Sequence, residues 1–124
     1  CAEKGLNISN ETASFVLPIG ATVNMDGTSC YQSIAAVFLA QVIGIDLTLT
    51  QMLTIILTST LSSIGTPGIP GGSIVMVMIV LSSIGIPIES LALIIGIDRP
   101  LDMLRTVTNV TGDTTVACIV DETI

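Results

Sequence analysis

The sequence has no histidine, no tryptophan and three basic residues, and aromatic side chains make up 2% of its 124 residues. Its net charge of -7 and the lack of a basic patch argue against a nucleic-acid partner. The cysteines, Cys1, Cys30 and Cys118, form no CxxC pair and have no histidine to join them, which excludes the usual zinc spacings. There is also no serine in a nucleophile-elbow motif. We therefore expect neither an enzyme nor a nucleic-acid-binding protein.

Apolar residues are what the sequence has in excess. Half of it is hydrophobic, 10% is charged and the mean hydropathy is +0.91. Soluble domains usually have about 25% charged residues, so this composition predicts a protein in contact with membrane lipid. The only bases are Lys4, Arg99 and Arg105, which are too few for the positive-inside rule to predict which end faces the cytoplasm. The sequence therefore leaves the membrane orientation open.

The apolar stretches are interrupted before they reach the roughly 20 residues that a transmembrane helix needs. The interruptions are "NMDGT" at 24–28 and "IGTPGIPGG" at 64–72. They predict a broken helix over 14–45, a hairpin of two short helices over 47–84 and a last helix over 90–120. A re-entrant hairpin is favoured over a plain surface turn, because irregular backbone at membrane depth lies in buried or polar places. Discontinuous helices of this kind indicate a transporter's substrate and ion site.

The last predicted helix has a polar stripe. At 100° per residue, six side chains share one face: Asp98, Asp102, Arg105, Thr106, Asn109 and Asp113. A soluble amphipathic helix is the alternative, but the remaining sequence offers no other soluble surface. Ionisable groups within a membrane cost about 2.5 to 3.5 kcal/mol each and usually mark function. The excess of acids over Arg105 predicts a bound cation, a proton or a substrate ammonium, and the oxygen ligands suit Na⁺.

Three motifs in order resemble the dicarboxylate/amino acid:cation symporter family, which includes the excitatory glutamate transporters. They are "NMDGT", "SSIGTPGIPGGS" at 62–73 and "DRPLDMLRTVTNVTGD" at 98–113, and the resemblance runs from about Ser14 to Ile119. It implies an all-α, multi-pass protein of the cell membrane. Within that protein it implies the C-terminal part of a transport domain, in which 1–13 end a first re-entrant hairpin. The broken transmembrane helix, the second hairpin and the last transmembrane helix follow. The serine-rich first tip and the scaffold that forms a homotrimer would lie upstream, so we expect a fragment of a longer protein.

The resemblance also implies roles for individual residues. Arg105 would pair with the substrate's side-chain carboxylate, Asp98 would orient it from behind, and Asp102 would take the α-ammonium. The other implied substrate contacts are Thr28, Ile69, Ser73, Thr106 and Asn109. The implied cation-site residues are Gly20, Thr22, Asn24, Met25, Asp26, Ser63, Ile64, Thr66, Asn109 and Asp113. Thr28 and Thr106 could instead be bonded to their own backbone, and Met25 could simply be a packing residue.

The resulting functional hypothesis is uptake of glutamate or aspartate coupled to Na⁺ by alternating access, with no cofactor. A proton-coupled glutamate carrier, a C4-dicarboxylate carrier and a neutral amino acid carrier of the same family remain alternatives. Asp102 argues against dicarboxylates, because they have no ammonium for it to meet. A channel or receptor fragment would require a pore-lining stripe on several helices, and only the last helix has one.

Overall fold

The structure, a computed structural model, describes residues 1–66 and 68–123, which form helices and no strand. This confirms the predicted all-helical class. The helices are α1 (Ala2–Gly5), α2 (Asn10–Val23), α3 (Asp26–Val42), α4 (Leu49–Ser63), α5 (Gly72–Ser83), α6 (Ala92–Ile95) and α7 (Asp98–Thr123). None of the described helices is both long and apolar enough to cross a membrane. Pro67 of the predicted hairpin tip, and Ile124, lie outside the described residues.

Helix α3 is the centre of the packing. It contacts α4, α5 and α7, while α4 and α5 pack against each other and α7 packs along α2. The apolar core lies between α3, α4 and α5, and its most buried members include Leu39, Ile55, Val77 and Leu81. Helix α3 therefore packs against the α4–α5 pair and against α7, and α7 in turn packs against α2.

Helix α2 begins at Asn10, four residues before the predicted start at position 14. The reason is the cap at Ser9, whose Oγ accepts a hydrogen bond from the backbone N–H of Thr12 at 3.2 Å. Asp121, near the end of α7, accepts from both the backbone N–H and the hydroxyl of Ser9, at 3.2 and 2.6 Å. A carboxylate at a helix N-terminus is favourable, so the two helices are joined where α2 begins.

The break between α2 and α3 falls at Asn24 and Met25, within the predicted "NMDGT" interruption. Their backbone angles are non-helical, with φ/ψ of -116°/64° and -94°/66°. The backbone N–H of Asn24 still bonds to the carbonyl of Gly20 at 2.8 Å. Two residues are therefore enough to separate two helices and to point polar groups toward α7.

The segment between α4 and α5 is the hairpin tip, residues 64–71. Gly65 and Gly71 have φ of +91° and +81°, which only glycine adopts readily. Gly68 lacks such a φ, and a β-carbon there would meet its nearest neighbours at 3.9 Å. The backbone N–H of Gly65 donates to the carbonyl of Thr22 at 2.9 Å, which ties the tip to α2.

The last helix begins at Asp98 and ends at Thr123, not at 90 and 120 as predicted. A 3₁₀ turn (Ile88–Leu91) and the one-turn α6 precede it, and Ile97 N–H closes a turn on the carbonyl of Ile94 at 3.1 Å. Pro100 then lies in the first turn of α7, where a helix tolerates proline.

Candidate substrate and cation site

Arg105 is the charged centre of the polar stripe on α7, and only 5% of its surface is exposed. Its Nη1 and Nη2 donate to Asp98 Oδ1 at 3.2 and 3.1 Å. Nη2 also donates to Asp102 Oδ1 at 2.9 Å and to Ser73 Oγ at 2.7 Å. The guanidinium therefore lies between two carboxylates of its own helix and one hydroxyl of α5.

Arg105 still has unused donors. Its buried Nε has no hydrogen-bond partner among the described residues. Nη1, which has two N–H groups, makes one hydrogen bond within the described residues, to Asp98. The Cζ atom of the guanidinium lies over the ring of Tyr31, 3.9 Å from its centroid. Sequence analysis missed Tyr31, although its three-residue spacing from Thr28 on α3 puts both on one face.

A cavity of about 280 Å³ lies in front of these groups. Pockets for drug-sized ligands run from about 300 to 1,000 Å³, so this one suits a small metabolite. All the predicted substrate contacts border it: Thr28, Ile69, Ser73, Asp102, Arg105, Thr106 and Asn109. Asp98 is 3% exposed and contacts Arg105 from outside the cavity wall.

Two of the predicted substrate residues join α3 to α7. The side-chain Nδ2 of Asn109 donates to Thr28 Oγ1 at 3.3 Å, and its Oδ1 accepts from Gly27 N–H at 2.8 Å. Thr28 is buried, and its hydroxyl donates to Met25 Sδ at 3.8 Å. Thr106 differs, because it is exposed and its hydroxyl donates to the Asp102 carbonyl of its own helix at 2.9 Å.

Asp113 is the buried carboxylate at the other end of the cavity, 6% exposed. It accepts from Asn24 Nδ2 at 3.2 Å and forms no ion pair with any described base. A β-carbon on Gly20 would lie 2.5 Å from Asp113 Oδ1, so only glycine allows this approach. A buried carboxylate without a base favours a bound cation or a proton.

The remaining predicted cation-site residues fall into two places. Met25 is buried in the cavity wall, whereas Asp26 is exposed, with Oδ2 2.9 Å from where a β-carbon of Gly112 would lie. Under the tip, Ser63 and Thr66 are buried, Ile64 exposes its side chain, and the Thr22 carbonyl accepts from Gly65. The structure thus gathers Gly20, Asn24, Asn109 and Asp113 at the helix break, and Thr22, Ser63, Ile64 and Thr66 near the tip.

Comparison with known proteins defines the class. The model of the sodium:dicarboxylate symporter family matches residues 1–123. The chain therefore belongs to the sodium:dicarboxylate symporter family, as the three motifs predict.

Its relatives within the family include excitatory amino acid transporters. Excitatory amino acid transporter 4 of Mus musculus is 49% identical over 121 residues, which are 98% of this chain and 22% of the relative. Excitatory amino acid transporter 1 of Ambystoma tigrinum has the same identity and coverage. An excitatory amino acid transporter of Caenorhabditis elegans is 43% identical over 97% of the chain. The chain spans 22% to 24% of the length of these relatives.

Proposed function

We propose that the full-length protein is a secondary active symporter of the cell membrane that takes up glutamate or aspartate with Na⁺. The observation that supports it most is a buried arginine with unused donors next to a carboxylate, in a cavity of small-molecule size. An acidic amino acid presents a carboxylate to Arg105 and an ammonium to Asp102. The names of the relatives, excitatory amino acid transporters, agree with this substrate class.

Substrate binding would exchange ion-pair partners. In the structure, Asp102 and Arg105 pair with each other at 2.9 Å. An acidic amino acid would place its side-chain carboxylate on the free N–H groups of Arg105 and its ammonium on Asp102. Asp98 would keep the guanidinium in place, because its bonds to Nη1 and Nη2 do not face the cavity. Planar, two-pronged contact between guanidinium and carboxylate makes this pairing strong and selective.

The residues at the helix break fit a Na⁺ ion. Asp113 and the backbone oxygens of Gly20, Asn24 and Asn109 would supply hard oxygen ligands, and a cation would balance the charge of the buried acid. We place a second Na⁺ beneath the tip, at the backbone oxygens of Thr22, Ser63, Ile64 and Thr66. Asn24 and Asp26 would contribute to a third, and Met25 would lie between the sites. No step of this proposal involves covalent chemistry.

In the membrane, we propose that residues 14–45 form a broken transmembrane helix and that 47–84 form a re-entrant hairpin acting as a gate. Residues 1–13 would end a first hairpin, and α7 (Asp98–Thr123) would form the last transmembrane helix. Exposed large apolar side chains occur along all the longer helices, Phe15, Phe38, Leu57, Ile79 and Leu104 among them. They would contact lipid and the rest of the transporter, which we expect to be a homotrimer.

A C4-dicarboxylate carrier is the second candidate, and the family's description favours it. Asp102 is the observation against it, since a dicarboxylate such as succinate would put a third carboxylate beside Asp98 and Asp102. Proton coupling is the alternative to Na⁺ coupling at Asp113. A neutral amino acid, the substrate of a third kind of carrier in the family, would offer Arg105 no side-chain carboxylate.

The test uses the purified full-length protein in proteoliposomes, with uptake of radiolabelled L-aspartate and L-glutamate driven by an inward Na⁺ gradient. Replacing external Na⁺ with choline should abolish concentrative uptake, and excess succinate should compete poorly. Uptake that follows an imposed pH gradient in choline would replace Na⁺ coupling with proton coupling. Accumulation of succinate without aspartate would overturn the amino acid assignment.

A further inference from the structure

In the described part of the chain, hydrogen bonds join α2 and its capping residues to α7 at two places, which lie at opposite ends of the α2–α7 interface. At one end, in the proposed cation site, Asn24 Nδ2 donates to Asp113 Oδ1 at 3.2 Å. At the other end, the Ser9 hydroxyl donates to Asp121 Oδ1 at 2.6 Å, and the Ser9 backbone N–H lies 3.2 Å from both carboxylate oxygens of Asp121.

Between these two ends, small side chains bring the helices together. Ala13 of α2 and Ala117 of α7 belong to one buried cluster, and a β-carbon on Gly20 would lie 2.5 Å from Asp113 Oδ1. Small residues let two helices approach closely, but they form shallow ridges that interlock weakly. The hydrogen bonds at the two ends therefore have a large part in fixing how far α2 is shifted along α7.

The two acids of this interface lie on one face of α7. Asp113, Ala117 and Asp121 follow one another at intervals of four residues, and all three contact α2 or its caps. Eight residues of helix separate the two carboxylates by about 12 Å along the axis, so Asp121 is too far away to touch an ion at Asp113. Any effect of Asp121 on such an ion has to pass through the relative position of the two helices.

We propose that the hydrogen-bonded pair of Ser9 and Asp121 sets the register of α2 on α7 and so positions the cation site at Asp113. This inference rests on the proposed Na⁺ site. A shift of α2 along its axis would carry the backbone oxygens of Gly20 and Asn24 away from the Asp113 carboxylate. The pair can add no more to the Na⁺ affinity than the free energy of its own contact, which is modest because the contact is exposed to solvent.

The experiment follows thermal unfolding of the purified full-length protein over a Na⁺ series, with choline keeping the ionic strength constant. The Na⁺ concentration for half-maximal stabilisation should rise about two- to fivefold in Asp121→Asn, because a neutral amide accepts a weaker hydrogen bond from Ser9. Glu122→Gln is the matched control, since it removes the same charge from the next position, and Glu122 is exposed and makes no hydrogen bond to Ser9. Its Na⁺ requirement should equal that of the wild type.

A reciprocal exchange separates positioning from a merely structural role. Ser9→Asp alone sets two carboxylates against each other, and Asp121→Ser alone removes the charged partner, so each should raise the Na⁺ requirement. Together they restore one hydroxyl–carboxylate pair, and aspartate caps a helix as well as serine does, so the double variant should return to within about twofold of the wild type. A lower melting temperature at every Na⁺ concentration, with an unchanged Na⁺ requirement, would overturn the inference, as would an exchange that restores nothing.

Hydrogen exchange provides a readout that needs no ion. The backbone N–H of Asn24 bonds to the Gly20 carbonyl at 2.8 Å, at the break between α2 and α3. In Na⁺-free buffer, this amide should exchange faster in Asp121→Asn than in the wild type or in Glu122→Gln, and equal exchange in the three proteins would count against positioning. A wild-type protein that Na⁺ does not stabilise would refute the proposed cation site, while this comparison would still test the pair of Ser9 and Asp121.

Discussion

The guanidinium of Arg105 on α7 lies over the aromatic ring of Tyr31 on α3, with 3.9 Å between Cζ and the ring centroid. Stacking on an aromatic face holds a guanidinium by about 0.5 to 2 kcal/mol and leaves its edge free for hydrogen bonds. The ring therefore keeps the donors of Arg105 in the plane where a carboxylate would meet them.

Replacing this ring tests its contribution. Tyr31→Leu in the full-length protein should weaken aspartate binding by about 2- to 30-fold, because the cation–π contact is lost. Tyr31→Phe keeps the ring, and the Tyr31 hydroxyl has no hydrogen-bond partner among the described residues, so its affinity should stay near that of the wild type. Titration calorimetry with L-aspartate measures both. Equal affinity in the leucine and wild-type proteins would contradict the prediction.

Selectivity should depend on Arg105. Arg105→Cys should abolish glutamate and aspartate uptake but permit small neutral amino acids such as serine, with Na⁺ dependence preserved because Asp113 and Asn24 are unchanged. An unpaired buried donor costs about 1 to 3 kcal/mol, or more when charged. The affinity of the wild type for neutral substrates should therefore be at least about tenfold lower than for acidic ones. Arg105→Lys should not restore acidic uptake fully, since a point charge lacks the planar fork. Concentrative aspartate uptake at wild-type affinity in the cysteine variant would contradict this role.

Cation coupling should depend on Asp113. Asp113→Asn removes the buried negative charge with little change in shape, and the Na⁺ concentration needed for half-maximal aspartate uptake should rise at least about tenfold. Asp46→Asn is the control, because Asp46 is an exposed acid between α3 and α4. Proteoliposome uptake across a Na⁺ series measures both. An unchanged Na⁺ dependence in Asp113→Asn would remove Asp113 from the cation site.

The glycine that faces Asp113 offers a steric test of the same site. Gly20→Ala would put a β-carbon 2.5 Å from Asp113 Oδ1, and the carboxylate, as the movable partner, should rotate away. We expect a folded protein with weaker Na⁺-dependent stabilisation in a thermal melt. Gly96→Ala is the control, since a β-carbon at Gly96 has nothing within 4 Å. Equal Na⁺ stabilisation in both variants would indicate that this approach is not needed for the ion.

The hairpin tip should tolerate alanine at one glycine and not at another. Gly71→Ala forces a left-handed backbone on a residue with a side chain, at a cost of about 1 to 2 kcal/mol. Aspartate binding and transport should fall together, because this residue precedes the helix that presents Ser73. Gly68→Ala has room for its β-carbon and should stay close to the wild type. Similar losses of aspartate binding and transport in both variants would mean that the tip tolerates no added side chain, whatever its backbone angles.

Local sequence patterns predicted part of this arrangement well. The helical stripe placed Asp98, Arg105 and Asp113 on one face of α7, and these are the residues of that helix's polar face that are buried. The all-helical class and the family are confirmed. Re-entrant and transmembrane placement, and the ligand roles, stay predictions.

Contacts between distant residues could not be derived from periodicity. The bond from Arg105 to Ser73 spans 32 positions, and the stacking on Tyr31 joins two helices that are not consecutive. The observed helix ends differ from the predicted ones where a capping residue sets the end of the helix. Ser9 is the example, and its hydrogen-bond partner Asp121 is 112 positions away. Thr106 falls at the margin of the stripe, where a threonine faces outward and bonds to its own backbone.

The ion pair between Asp102 and Arg105 lets two opposite charges of one helix satisfy each other. A carrier must release its cargo on every cycle, and a site that bound only through bare, buried charges would hold the amino acid too tightly to turn over. In the proposed transport cycle, the two side chains would rejoin at 2.9 Å as the substrate departs, so that opposite charges would not be left unpaired away from water. The same contact would then lower the affinity for the substrate and speed its release.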